Sequence, residues 1–404
     1  MIEFILAAGL AGAALVVSPV GIEFLTGRAG LSFRVNAISL TFVVFLLALT
    51  AAVLAQGRLR RACFYVLAWL FPVAVLACVE MGALAVHLAD RIAPLEDTSS
   101  LARKSAWPAH MFSNARFYKT PYGVRLYRPW HGDGITLNAF GLRTAMPTPK
   151  APGEWRIAVT GGSAAWGWRV RDSDTIPVQL QDVLRRAGHD NVTVYNFGIE
   201  GATLKKELAL LKHFRPIYAI DQVLFYTGGN DAYDAYLSAI KKRSGPWSVD
   251  ITAFELTKTA TRLQAMWSEP PPQLLQWLDR EALPAALKND TLREGIAAAD
   301  NYCRTTALRC EFALQPMLFA RTPRHGPEVR LAQTFRRIYP RFGALTAQMY
   351  RDALAAGPAG RVTDLSHILD RSSQPFFLDA IHLNEAGNRA VAERLMPIIA
   401  PGLP

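Results

Sequence analysis

From Trp155 to about Pro397, short apolar β-type runs alternate with stretches of helical spacing. An alternation sustained over that length restricts the fold to a parallel sheet covered by helices on both faces. The strand-like runs are Trp155–Thr160, Val192–Tyr195, Gln222–Tyr226, Cys310–Leu314 and Val362–Leu365. Thr175–Ala187, Thr203–Phe214, Thr291–Tyr302 and most of Val329–Ala355 read as helices. Asp172 to Asp174 offer caps for the first of these and Gly188 its stop, while Asn384 caps a final helix. In such sheets reactive residues gather at the carboxyl ends of the strands. Ser163, residues 196–203, Gly228–Asp231 and Met317–Glu328 all fall just after a strand-like run.

The first ninety residues follow a different rule. Phe4–Ile22, Val35–Gly57 and Ala62–Val79 are three long uncharged apolar stretches. About twenty apolar residues cross a bilayer, so each is a candidate transmembrane helix. The expected organisation is therefore three spans in 1–92, a linker and short β lead-in in 93–150, and an α/β domain in 151–404 with an insertion at about 238–290. Arg58, Arg60 and Arg61 outweigh Arg28 and Arg34, which places the second loop in the cytoplasm. The large domain then lies on the exported side, at a bacterial inner membrane the periplasmic one.

The net charge of +11 belongs mostly to residues after 92, where the basic residues are dispersed. No nucleic-acid motif accompanies them; the charge suits either a domain held beside anionic lipid or anionic glycan or a plain solvated basic surface. The eight His are scattered and no Cys-x-x-Cys occurs, which argues against a zinc site. Cys303 and Cys310 either form a disulfide, worth roughly 2–3 kcal/mol by loop entropy, or stay as two thiols.

Four segments carry chemistry. Thr160-Gly161-Gly162-Ser163 turns sharply after the first strand and exposes a hydroxyl, with a helix expected to aim its N-terminus there. Asn196-Phe-Gly198-Ile-Glu-Gly201 supplies a glycine N–H after the second strand, and Gly228-Gly229-Asn230-Asp231 an amide after the third. Asp379-Ala-Ile-His382 places a carboxylate and an imidazole one turn apart. A serine needs an imidazole to take its proton, a carboxylate to orient that ring, and donors for the oxyanion. Position 165 is Ala, so the Gly-x-Ser-x-Gly elbow of α/β-hydrolases is absent.

In this order the four segments resemble the SGNH (GDSL-type) hydrolase family over roughly residues 155–400. The resemblance implies a three-layer SGNH-hydrolase-like domain without cofactor or metal. It implies Ser163 as nucleophile, His382 as general base and acid, and Asp379 as its partner. The oxyanion donors would be the backbone N–H groups of Ser163 and Gly201 and the Asn230 side chain, with Gly198 a second glycine in the same loop. One departure is Gly162, where the family usually has Asp. Ile135 to Arg143, with Asn138 and Gly141, is similar to the lead-in of bacterial envelope members. The expected activity is that of a membrane-anchored esterase or deacylase on acyl esters, acetyl among them, of envelope glycan or lipid, so the partners expected are an acylated glycan or lipid and the membrane. The same residues also suit an O-acyltransferase, and a non-catalytic glycan-binding relative is a third reading. Trp166 and Trp168 either line the pocket or pack in the core.

Overall fold

The computed structural model describes residues 2–18, 20, 33–54, 65, 117–132, 134–241, 270 and 272–403. They fall into two compact units.

The first unit contains helices α1 (Ile2–Val17) and α2 (Phe33–Leu54), which pack on each other. No helix among the described residues is long and apolar enough to cross a membrane. The expected spans therefore need restating. Phe4–Ile22 overlaps α1, whose 16 residues rise about 24 Å against the roughly 30 Å of a hydrocarbon core. Val35–Gly57 overlaps α2, whose described side chains run only from Ser39 to Leu54. Ala62–Val79, except Tyr65, lies outside the described residues.

The second unit is built on a five-stranded parallel sheet in the order β6-β5-β7-β8-β9. Its strands are β5 (Trp155–Gly161), β6 (Val192–Gly198), β7 (Gln222–Thr227), β8 (Arg309–Leu314) and β9 (Val362–Asp364). Before them come two small antiparallel pairs, β1 (Phe117–Lys119) with β2 (Arg125–Tyr127), and β3 (Trp130–Gly132) with β4 (Ile135–Leu137).

Side chains of successive strand residues point to opposite faces, and the sequence is apolar at both phases. Ala158, Phe197, Val223, Phe225 and Phe312 enter one core; Ile157, Val159, Leu224, Tyr226 and Ala313 enter the other. The first core is closed by α5 (Leu204–Tyr218), α7 (Thr291–Thr305) and α9 (Phe342–Ala356). The second is closed by α4 (Ile176–Arg186), α8 (Pro327–Ile338) and α10 (Glu385–Ile399). Helix α4 shows the logic: Ile176, Leu180, Val183 and Leu184 recur on one buried stripe. Each such large aliphatic side chain contributes about 1.5–3 kcal/mol by leaving water.

Several local readings change. Asp172–Asp174 do not cap α4; they form a short 3-10 turn, and Thr175 is the N-cap without a side-chain bond. The Asp172 carboxylate is instead paired with Arg143 at 2.7 Å. Of the insertion at 238–290, the described residues include the end of α6 (Gly229–Lys241) and helical turns at 272–288. Cys303 and Cys310 form a disulfide, with Cα atoms 6.2 Å apart, between α7 and β8.

Candidate active site

All the loops named above emerge at the carboxyl ends of β5, β6, β7 and β8. After Gly161 the chain passes through extended Gly162 and begins α3, the single turn Ser163–Trp166. The helix expected behind Ser163 is thus one turn long, ending at Gly167, and supplies local N–H groups rather than a long macrodipole. A Cβ at position 162 would collide with the Asn230 side-chain nitrogen. A side chain at 162 would require the Asn230 amide to shift.

The imidazole arrives from the other end of the sequence. A bridge between Phe377 and Leu383 closes a tight loop, held by the Leu378 N–H donating to the His382 carbonyl at 2.8 Å. Within it Asp379 Oδ1 accepts the backbone N–H groups of Ile381 and His382, both at 2.8 Å. Asp379 Oδ2 lies 2.6 Å from His382 Nδ1, and His382 Nε2 lies 2.7 Å from Ser163 Oγ. With Asp379 ionised, Nδ1 carries the proton and Nε2 accepts from the serine hydroxyl. Burial alone would raise the Asp379 carboxyl. The positive charge and hydrogen bond of His382, with the two backbone donors, more than offset this and hold it down at about 2.

The loop is anchored by a buried ion pair. Arg321 Nε meets Glu328 at 3.0 Å, both side chains being fully buried. Glu328 Oε1 accepts the N–H groups of Phe376 and Phe377 at 2.8 and 3.1 Å, just before the Asp379 turn.

The three oxyanion candidates differ in detail. Ser163 N–H opens α3 and has no acceptor among the described residues. Gly201, at φ +65°, is in the same condition. Asn230 is not free to aim both amide protons at one oxygen: its Nδ2 donates to the Ala202 carbonyl at 2.8 Å, leaving one proton. That bond also ties the Gly201 loop to α6. Gly198 plays a different part. Its N–H is taken by Asn196 Oδ1 at 2.8 Å, and a Cβ there would strike the backbone of Ala165 and Trp166.

Three further residues surround the site. Arg143, almost wholly buried, donates to the carbonyls of Gly167 at 2.7 Å and Val170 at 2.8 Å, fixing the chain beyond α3. Its guanidinium also stacks over Trp166, 4.7 Å from the ring centre. Tyr127, from β2, donates to Glu200 Oε2. Glu200 precedes Gly201, and its carboxyl is raised to about 7 by burial, against the Tyr127 hydrogen bond and the charge of His382. The lead-in Ile135–Arg143 signals Arg143, whereas nothing local signals the Tyr127–Glu200 contact. Trp166 is buried against Tyr127, while Trp168 is half-buried with its ring centre 5.7 Å from that of His382.

A parallel sheet with a serine, an imidazole and a carboxylate in hydrogen-bonded sequence at its carboxyl edge defines a serine hydrolase. The sequence matches the GDSL-like Lipase/Acylhydrolase family over residues 132–395, well over half the chain, and the chain belongs to that family of ester-hydrolysing enzymes. No curated protein is a match for it. Among solved structures it is similar to TesA (TM-score 0.37, 16% identity, 61% of this chain and 98% of that one). It is also similar to the psychrotrophic esterase EstA from Pseudoalteromonas sp. (TM-score 0.34, 13% identity, 61% and 97%). A third is a lipolytic protein of the G-D-S-L family from Veillonella parvula DSM 2008 (TM-score 0.33, 14% identity, 61% and 98%).

Proposed function

We propose that the protein is a membrane-attached deacylase that removes acyl groups, acetyl foremost, from esters of envelope glycan or lipid through an acyl-Ser163 intermediate. The observation that carries the reading is the Asp379–His382–Ser163 relay, with contacts of 2.6 and 2.7 Å. Ser163 Oγ attacks the ester carbonyl carbon as its proton passes to His382 Nε2. The oxyanion receives the N–H groups of Ser163 and Gly201 and the remaining Asn230 amide proton. Collapse expels the alcohol, which takes the proton from Nε2. Water then enters along the same path and gives a proton to His382 as it attacks the acyl carbon; collapse breaks the acyl–Ser163 bond, the proton returns from Nε2 to Ser163 Oγ, and the acid leaves.

Placement outside the cytoplasm is supported by the Cys303–Cys310 disulfide, since such bonds persist in oxidising compartments. Attachment to a membrane is supported by the apolar side chains that α1 and α2 expose, among them Leu15, Val16, Leu40, Val44 and Leu47. Complete release of the protein from membranes by an alkaline carbonate wash would remove this anchor from the account.

The test of the activity uses the full chain and an O-acetylated envelope polysaccharide. Wild type is expected to release free acetate, and Ser163→Ala none. Equal release by both would overturn the proposal.

A further inference from the structure

Glu200 is a buried carboxyl beside the oxyanion loop that the proposed mechanism leaves unused. Its Oε2 accepts the Tyr127 hydroxyl, whereas its Oε1 is shut off from solvent and meets no hydrogen-bond partner among the described residues. It stands directly before Gly201 in the loop after β6, and the Tyr127 that grips it packs on Trp166, at the end of the turn opened by the serine hydrogen-bonded to His382. Tyr127 from β2 bonds to it, and the charges of Arg125 from β2 and Arg143 from the loop after β4 also act on it. Arg143 is already committed to Asp172 and to the carbonyls beyond α3. A buried acceptor without a partner destabilises the fold, so this arrangement calls for an explanation. Substrate contact is a poor one, because no solvent-sized group reaches Oε1.

We propose that Glu200, gripped by Tyr127 beside the oxyanion loop, is a positioning residue that acts through His382: its negative charge steadies the imidazolium formed when Ser163 gives up its proton. The inference rests on the reading of His382 as the general base. In a poorly solvated setting a charge acts over several ångströms with little screening, so direct contact is not required. Burial holds the Glu200 carboxyl up at about 7, while the Tyr127 bond and the charges of His382, Arg125 and Arg143 pull it down. The sign follows. Below neutrality Glu200 keeps its proton and contributes no charge; above it the carboxylate forms and favours proton transfer from Ser163.

The test is the rate of fluorophosphonate labelling of the full chain between pH 5 and 9. It needs no natural substrate and compares wild type, Glu200→Gln and Tyr127→Phe. The wild-type rate is expected to climb through two ionisations. Glu200→Gln is expected to climb through one and to reach an alkaline plateau about 3–10-fold lower, the size of a charge effect of up to one pKa unit. Tyr127→Phe removes the donor that favours the carboxylate, so the Glu200-linked step should persist and move to higher pH. A Glu200→Gln curve that parallels wild type, whatever its height, would overturn the inference. If Glu200→Gln does not fold, an unshifted Tyr127→Phe curve would do so. Wild type that is not labelled at all would overturn the nucleophile assignment itself, and this inference with it.

Discussion

Asn230 shows how one side chain serves both architecture and chemistry. One proton of its amide is spent on the Ala202 carbonyl at 2.8 Å, which sets the distance between the Gly201 loop and α6. In the proposed function the other is left for the developing oxyanion. The cost of this placement is felt at position 162, where any Cβ would push the amide away. Asn230→Ala is therefore expected to lower kcat by about 10²–10³-fold, the usual loss for one oxyanion donor, with a much smaller change in KM. Steady-state kinetics on p-nitrophenyl acetate measures both. A variant that loses mainly KM would assign Asn230 to ground-state binding instead.

At the level of elements, the sheet and its helices are joined beneath the site by a buried polar network. Glu207 of α5 accepts the hydroxyls of Thr227 on β7 at 3.0 Å and Thr160 on β5 at 3.3 Å. Asp231 of α6 accepts the Leu204 N–H that opens α5, at 3.2 Å. Glu207 is fully buried, and burial first, then the nearby Asp231, raises its carboxyl well above the ordinary value. The folded protein thus keeps this proton while the unfolded chain loses it above about 4.3. Stability accordingly falls as pH rises from there towards the folded-state value, by up to about 1.4 kcal/mol per pH unit for this group. Glu207→Gln keeps an acceptor for the threonines but cannot ionise. Its Tm is expected to decline less than that of wild type between pH 5 and 8. Thermal melts across that range with parallel slopes would show that Glu207 is not the titrating group.

Across the whole molecule, what the sequence made legible was whatever physics imposes locally. The five strands were readable because a doubly covered sheet demands apolar residues at both phases, and each lies where an apolar run was found. The Ser163 and Asp379–His382 segments, which the structure brings into hydrogen-bonding contact, could be singled out because acyl transfer, the proposed chemistry, limits which residue types can do each task. What stayed hidden depends on contacts distant in sequence. Tyr127 and Glu200 are 73 positions apart, and no periodicity links them. The helix expected after Ser163 is a single turn, a length that nothing in Ser163–Trp166 alone announces. The chain is turned aside at Gly167, whose carbonyl is held by Arg143. The two cysteines allowed a bond or two thiols until α7 and β8 were seen to bring them together. The central claim is that residues 219 positions apart share one proton at the sheet edge. It is tested most directly by mapping, by mass, the adduct a fluorophosphonate leaves on the full-length protein. A single adduct on the peptide bearing Ser163, abolished in Ser163→Ala and almost lost in His382→Ala, is the predicted result. An adduct on another serine, or undiminished labelling of Ser163→Ala, would contradict the account.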